Sequence, residues 1–242
     1  MRTTRVGSLA RFRAAAAADV RLQLRNGFYA AAAFVAVCLV LLLGPLPAGT
    51  VALLLPPLVL LNLQVNTFYF IGGLVLLERA EGSLEALTVT PLRPWEYLSA
   101  KVATLAWLSF VEAAVIVVAS HGLRLAWLPL AAGVGLASAL LCAYGFVAVA
   151  RYDSINAFLF PSMVYTAVIG LPVLDYLGIW SGDLWLLHPM RAPLVLLEAA
   201  FHPVSGGRLA YAVAYGLFWA ALAARAARRA FDRHVVARHG DA

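Results

Sequence analysis

At 242 residues, with 63% hydrophobic side chains, 12% charged ones and a mean hydropathy of +0.87, the chain carries more apolar surface than one soluble core could bury. This excludes a water-soluble enzyme domain and predicts an all-α polytopic membrane protein, with room for about six spans of about 20 residues and no sizeable soluble domain. The formal net charge of +6 is not accompanied by a basic face interleaved with aromatics, so it predicts orientation and lipid contact, with no nucleic-acid binding.

Residues 1–27 carry six arginines, Arg2, Arg5, Arg11, Arg13, Arg21 and Arg25, against one acid, Asp19. Helical spacing gathers Leu9, Phe12, Ala16, Val20 and Leu24 on one stripe; Arg11, Arg21 and Arg25 fall largely away from it, and Arg13 breaks the pattern. The segment predicts an amphipathic interfacial helix on an anionic lipid surface. A basic, partly disordered tail that fixes orientation is the plainer alternative. A cleaved signal peptide fits less well, because the charged region is long and further spans follow.

The first span is predicted over 28–43, and the uncharged run Gly44 to Gly49 turns the chain back. The second, over 51–77, holds Pro56 and Pro57 near its start, which predicts kinked or irregular first turns. Asn62, Asn66, Tyr69 and Gly73 then recur at spacings of four, three and four, a stripe that has to face protein or water. Helix-packing glue is its commoner meaning. The lining of a translocation path is the sharper one.

Charged residues interrupt the apolar pattern from Glu78 to Tyr97, and the stretch 78–94 predicts a short helix on the membrane surface. Gly82 frees the backbone to turn, Ser83 can cap the first turn, and Glu85 sets negative charge near the positive helix end. Leu84 and Leu87 share a face, and Pro91 stops the helix. The third span follows over 95–119, with Trp95 and Tyr97 suited to the headgroup belt and Lys101 able to snorkel. Glu112 lies about 16 Å beyond Lys101, where an acid costs on the order of 2.5–3.5 kcal/mol. A substrate or proton site and a hydrogen-bonded packing residue are both open readings.

The fourth span, 125–150, carries Gly133, Gly135, Ala137 and Ser138, which permit close helix contact. The fifth, 155–174, is expected to bend at Pro161 and at Gly170-Leu171-Pro172. Residues 175–208 form an outer loop whose apolar piece, Leu194 to Phe201, is too short to span and is expected to dip into the membrane and return. His188, Asp175 and Asp183 lack metal-ligand spacing, so a solvated turn is the expectation there. The last span, 209–224, runs into Arg225, Arg228, Arg229, Arg233 and Arg238. With six spans and both termini inside, 15 of the 18 basic residues fall on the inner side and only Arg124, Arg191 and Arg208 on the outer. Cys38 and Cys142 sit in apolar runs and act as small hydrophobes.

The order Glu78-Arg79-Ala80-Glu81-Gly82-Ser83-Leu84-Glu85-Ala86-Leu87, then Thr90-Pro91-Leu92, then Trp95-Glu96-Tyr97-Leu98 leading to Lys101, resembles the cytoplasmic loop of ABC type-2 transporter permeases. The resemblance implies a coupling helix that docks on a separate ABC ATPase through Glu78, Glu81, Gly82, Ser83, Leu84, Glu85, Leu87 and Pro91. It also implies ATP and magnesium on that partner with no cofactor on this chain, a second permease copy, export as the direction, and a bacterial or archaeal plasma membrane with both termini cytoplasmic. The N-terminal helix, and the region of His188-Pro189 and Ala192-Pro193-Leu194, are similar to the interfacial and the re-entrant or extracellular helices of that family. Some short permeases of similar layout are linked to export of drugs such as fluoroquinolones.

The residues themselves leave alternatives. No P-loop is present, since the single lysine, Lys101, stands in Leu98-Ser99-Ala100-Lys101-Val102, and neither H-E-x-x-H nor G-x-S-x-G occurs. A non-transporting membrane scaffold would share the hydropathy and need no ATPase. A secondary transporter would be expected to show internal repeats and several intramembrane charges, and only Glu112 qualifies. The candidate translocation path comprises Asn62, Asn66, Tyr69 and Glu112.

Overall fold

Within a bilayer each backbone N–H and C=O has to find its partner inside its own segment, and the apolar runs of this chain accordingly form helices. The computed structural model describes residues 7–83 and 92–233, and among these there is no strand. In chain order the helices are α1 (Ser8–Arg25), α2 (Phe28–Leu43), α3 (Ala48–Leu63), α4 (Phe70–Ala80), α5 (Pro94–His121), α6 (Trp127–Val149), α7 (Ile155–Gly170), α8 (Pro172–Tyr176), α9 (Arg191–Glu198) and α10 (Gly206–Phe231). A π-helical segment, Gln64–Tyr69, joins α3 to α4, and a 3-10 turn, Asp183–Leu187, precedes α9. Five stretches are long and apolar enough to cross a membrane: Ala48–Ala80, Pro94–His121, Trp127–Val149, Ile155–Tyr176 and Gly206–Phe231. The bent pair α1 and α2, which meet at 63°, makes a sixth if the two are counted together, α2 itself being 16 residues long. Gly27 makes that bend with φ 76°, a left-handed conformation that side chains with a Cβ resist.

The second span corrects one expectation. Its first turns are regular α-helix through Pro56 and Pro57, and the irregular part is the π segment one to two turns later. A proline leaves the carbonyl four residues earlier without its helical donor. For Pro56 that carbonyl belongs to Ala52, and His202 Nε2 lies 3.2 Å from it. In the fifth span Pro172 removes the ordinary helical donor of the Val168 carbonyl, which takes the Leu171 N–H at 3.2 Å and has His188 Nε2 as a second partner at 3.2 Å. His188 is therefore tied to a helix end, contrary to the solvated turn that its spacing predicted. The Met190 N–H donates to His188 Nδ1 at 3.2 Å, which requires a neutral ring with the proton on Nε2. Burial lowers the His188 pKa below its ordinary 6.5, with the Val168 carbonyl acting in the opposite sense.

Close contacts are made at glycines. A Cβ on Gly145 of α6 would stand 2.6 Å from Ile71 Cγ2 and 2.8 Å from the Phe68 carbonyl oxygen, so the π segment lies directly on α6. At Gly133 an added Cβ would meet Leu197 at 2.9 Å, which seats α9 against the same helix. The apolar piece of the outer loop thus lies packed inside the bundle, with Ala192 through Leu197 all buried.

Replacing Gly145 with alanine is expected to lower stability by about 1–3 kcal/mol through overpacking, read as a drop in thermal melting temperature in detergent micelles. For His188 the unfolded chain takes up a proton as pH falls through 6.5 while the folded chain resists it. Melting temperature should accordingly fall between about pH 8 and about pH 5, and fall less in His188→Gln.

Candidate functional site

The polar residues gather at the end of the bundle where α1, the close of α4 and the start of α5 meet. Pro94 opens α5 at the position where a missing N–H costs nothing, and the Arg93 backbone N–H donates to Glu96 Oε2 at 3.0 Å. Glu96 is fully buried, and Arg11 of α1 grips it with two bonds, Nη2 to Oε1 at 2.8 Å and Nε to Oε2 at 2.9 Å. Ser8 Oγ adds a third at 2.7 Å. The hydrogen bond to Glu96 holds the Arg11 pKa above its usual value. Farther along both helices, Gln23 Nε2 donates to Thr104 Oγ1 at 3.0 Å.

Between these contacts lies Lys101. Its Nζ is 2.7 Å from Asp19 Oδ1 and 2.7 Å from Glu78 Oε1, with side-chain exposures of 0%, 7% and 12% for the lysine, Asp19 and Glu78. The Tyr97 hydroxyl donates to Glu78 Oε2 at 2.5 Å, and the lysine nitrogen stands 4.7 Å from the Tyr97 ring centre. Lys101 therefore does not snorkel as its position predicted. Helix α1 covers the first turns of α5 and leaves the ammonium no route to water, so two carboxylates and an aromatic face replace its hydration. Burial raises the Asp19 pKa, and the adjacent Lys101 works against that rise.

The inward face of α1 is thus its polar one, with Asp19 and Gln23 buried, while Leu9 and Leu24 point outward. Arg79 at the end of α4 ties the collar to the next turn: it donates to the Ala150 carbonyl at 3.1 Å, to the Tyr152 carbonyl, and to Asp153 Oδ1 at 3.1 Å.

Of the residues singled out by sequence, Glu78 faces inward onto Lys101. Glu81 is exposed and pairs with Arg25 at 2.5 Å, Gly82 turns the chain with φ 68°, and Ser83 Oγ donates to the Glu78 carbonyl at 3.1 Å. Leu84, Glu85, Leu87 and Pro91 lie outside the described residues. A recess of about 390 Å³ opens beside the collar between Arg21, Arg25, Glu78, Glu81 and Ser83. In the bundle, Asn62 and Glu112 are neighbours and both are buried. Asn66 is buried, and Tyr69 Oη lies 3.1 Å from Thr166 Oγ1, which ties the second span to the fifth. Sequence reasoning missed Asp19, Arg11, Glu96 and Gln23 as a set. The available signals were an acid inside an otherwise basic helix and the chain's one lysine set inside an apolar span. Among the described residues no three His, Cys, Asp or Glu side chains gather as a metal site.

A helical bundle of five to six candidate spans, with its buried lysine network at one end and one acid left within the apolar interior, defines a multi-pass membrane protein. The chain matches the fluoroquinolones export permease protein family over residues 10–239 and belongs to that family. It is 35% identical over 225 residues to the fluoroquinolones export permease proteins of Mycobacterium tuberculosis strains CDC 1551 / Oshkosh and ATCC 25618 / H37Rv, covering 92% of this chain and 95% of each relative. Membership in an export permease family agrees with the ABC type-2 resemblance carried by residues 78–101.

Lys101→Met leaves two buried carboxylates facing each other and is expected to cost about 3–5 kcal/mol of stability, measured by denaturant titration in micelles. Adding Asp19→Asn and Glu78→Gln removes the uncompensated charge and is expected to restore most of the loss.

Proposed function

We propose that the chain is the membrane subunit of an ATP-driven exporter, and that a separate ABC ATPase, carrying the ATP and magnesium, docks on residues 78–94. The observation that carries this reading is the buried Asp19–Lys101–Glu78 pair of bonds, each 2.7 Å long. They join the interfacial helix, the end of the second span and the start of the third into one unit. A push on the intervening segment is then delivered to α1, α4 and α5 together, as a rigid-body displacement.

In this reading Leu84 and Leu87 supply apolar anchorage for the ATPase, and Glu81 and Glu85 polar contacts at the rim. Glu78, bonded to Lys101, carries the motion inward. The excess of basic residues at the collar end supports a cytoplasmic position for that end and for both termini. Two permease copies facing two ATPases in a bacterial or archaeal plasma membrane complete the assembly, and movement of the collar alters packing between the copies to open the path. The relatives are named for fluoroquinolone export, which makes fluoroquinolones the first substrates to try.

Cells producing the chain together with its ABC ATPase are expected to accumulate less fluoroquinolone than cells producing either alone. Equal accumulation in all three overturns fluoroquinolones as the substrate. In a pull-down with the ATPase, Leu84→Asp is expected to weaken association about tenfold or more and Glu85→Ala to weaken it less. Unchanged association in both variants counts against docking at this segment.

A further inference from the structure

Between α2 and α5 a groove of about 530 Å³ opens on the flank of the bundle. Tyr29, Ala36, Val40, Trp107 and Val111 line it, and Glu112 belongs to its wall. Glu112 is only 4% exposed, and neither of its carboxylate oxygens has a formed hydrogen bond among the described residues. Asn62 is its polar neighbour, and no Lys or Arg of the described residues pairs with it. By helix rise Glu112 sits about 27 Å from the start of α5 and about 14 Å from its end, which places it within the hydrocarbon layer. A carboxylate there is costly until something offsets it.

We propose that this groove binds an apolar, aromatic organic cation, with Glu112 as its counter-ion. An inorganic cation would need several oxygen ligands, and the groove wall offers one carboxylate, whose buried neighbour Asn62 is not part of the lining. An acyl chain would fill the apolar walls and leave the acid uncompensated. An organic cation satisfies both demands, because its rings match the alanine and valine walls and its charge meets the carboxylate. Trp107 and Tyr29 add ring faces that favour a cation over a neutral ligand. Trp107 is 64% exposed and Val37 56%, so the groove opens laterally and a membrane-dissolved ligand reaches it without crossing the collar. Calling it a transport site rests on the exporter reading, whereas binding itself does not.

The test uses the full chain in lipid nanodiscs, without any ATPase, and two probes of nearly the same shape and opposite charge. Tetraphenylphosphonium is expected to bind the wild type and to bind Glu112→Gln at least about tenfold more weakly. Tetraphenylborate is expected to show no preference for the wild type over that variant. Ala33 also lines the groove; Ala33→Phe fills it and keeps the acid, and is expected to lose the phosphonium to a similar degree. An unchanged melting temperature in either variant separates loss of the site from loss of the fold. Equal phosphonium binding by wild type and Glu112→Gln, or absence of binding by the wild type, overturns the proposal. Either result leaves drug export with the ATPase as a separate measurement, and a failure of export leaves the binding result standing.

Discussion

The arrangement of this protein turns on one buried ammonium. Lys101 reaches no water, and its two carboxylate partners come from α1 and α4, segments 82 and 23 residues away in the chain. An ion pair of this kind adds little net stability over an apolar replacement, because desolvation offsets most of the Coulomb attraction. Its effect is on geometry. A lysine that has to meet both acids permits one placement of α1 along α5, and with it one setting of the segment that follows Glu78. The flanking bonds, Arg11 to Glu96 and Gln23 to Thr104, fix the same register on either side.

Elsewhere in the bundle, order depends on repairing what helix breakers remove. Pro56 and Pro172 each free a carbonyl inside or beside a span, and each carbonyl is met by a histidine from the outer loop, His202 and His188. The loop is thereby sewn to the spans, and α9 fills the space between α3, α6 and α10. The π segment widens the second span where it crosses α6, and Gly145 makes room for that widened turn. These are packing solutions to a common problem: a span interrupted by proline has to find other donors for its backbone carbonyls.

The polar groups of the interior divide into two kinds. Those of the collar pair with one another, the Gln23 side-chain carbonyl oxygen excepted, and hold helices together. Glu112, the Asn66 amide and several further amides and hydroxyls, Ser109 and Ser138 among them, remain without formed hydrogen bonds; Glu112 is the acid of this group, and it lines the groove between α2 and α5. A satisfied network specifies structure, whereas an unsatisfied acid beside open apolar space is a demand for a ligand.

The class of the protein, its helical spans and the charged segment between the second and third were legible in the sequence, because hydropathy and charge asymmetry are one-dimensional properties that a bilayer reads directly. The resemblance at residues 78–101 likewise agrees with the export permease family that residues 10–239 match. The partners of Lys101, the inward turn of Glu78 and the roles of His188 and His202 were not legible. Each depends on a residue from a distant helix arriving within about 3 Å, as hydrogen bonding requires, and no local periodicity encodes that meeting. The displaced irregularity of the second span has the same origin, since Pro56 stays helical once a distant histidine takes the carbonyl it frees. Sequence determined which segments enter the membrane and which end is basic; tertiary packing decided which charges are buried there, because only close helix contact can replace their water.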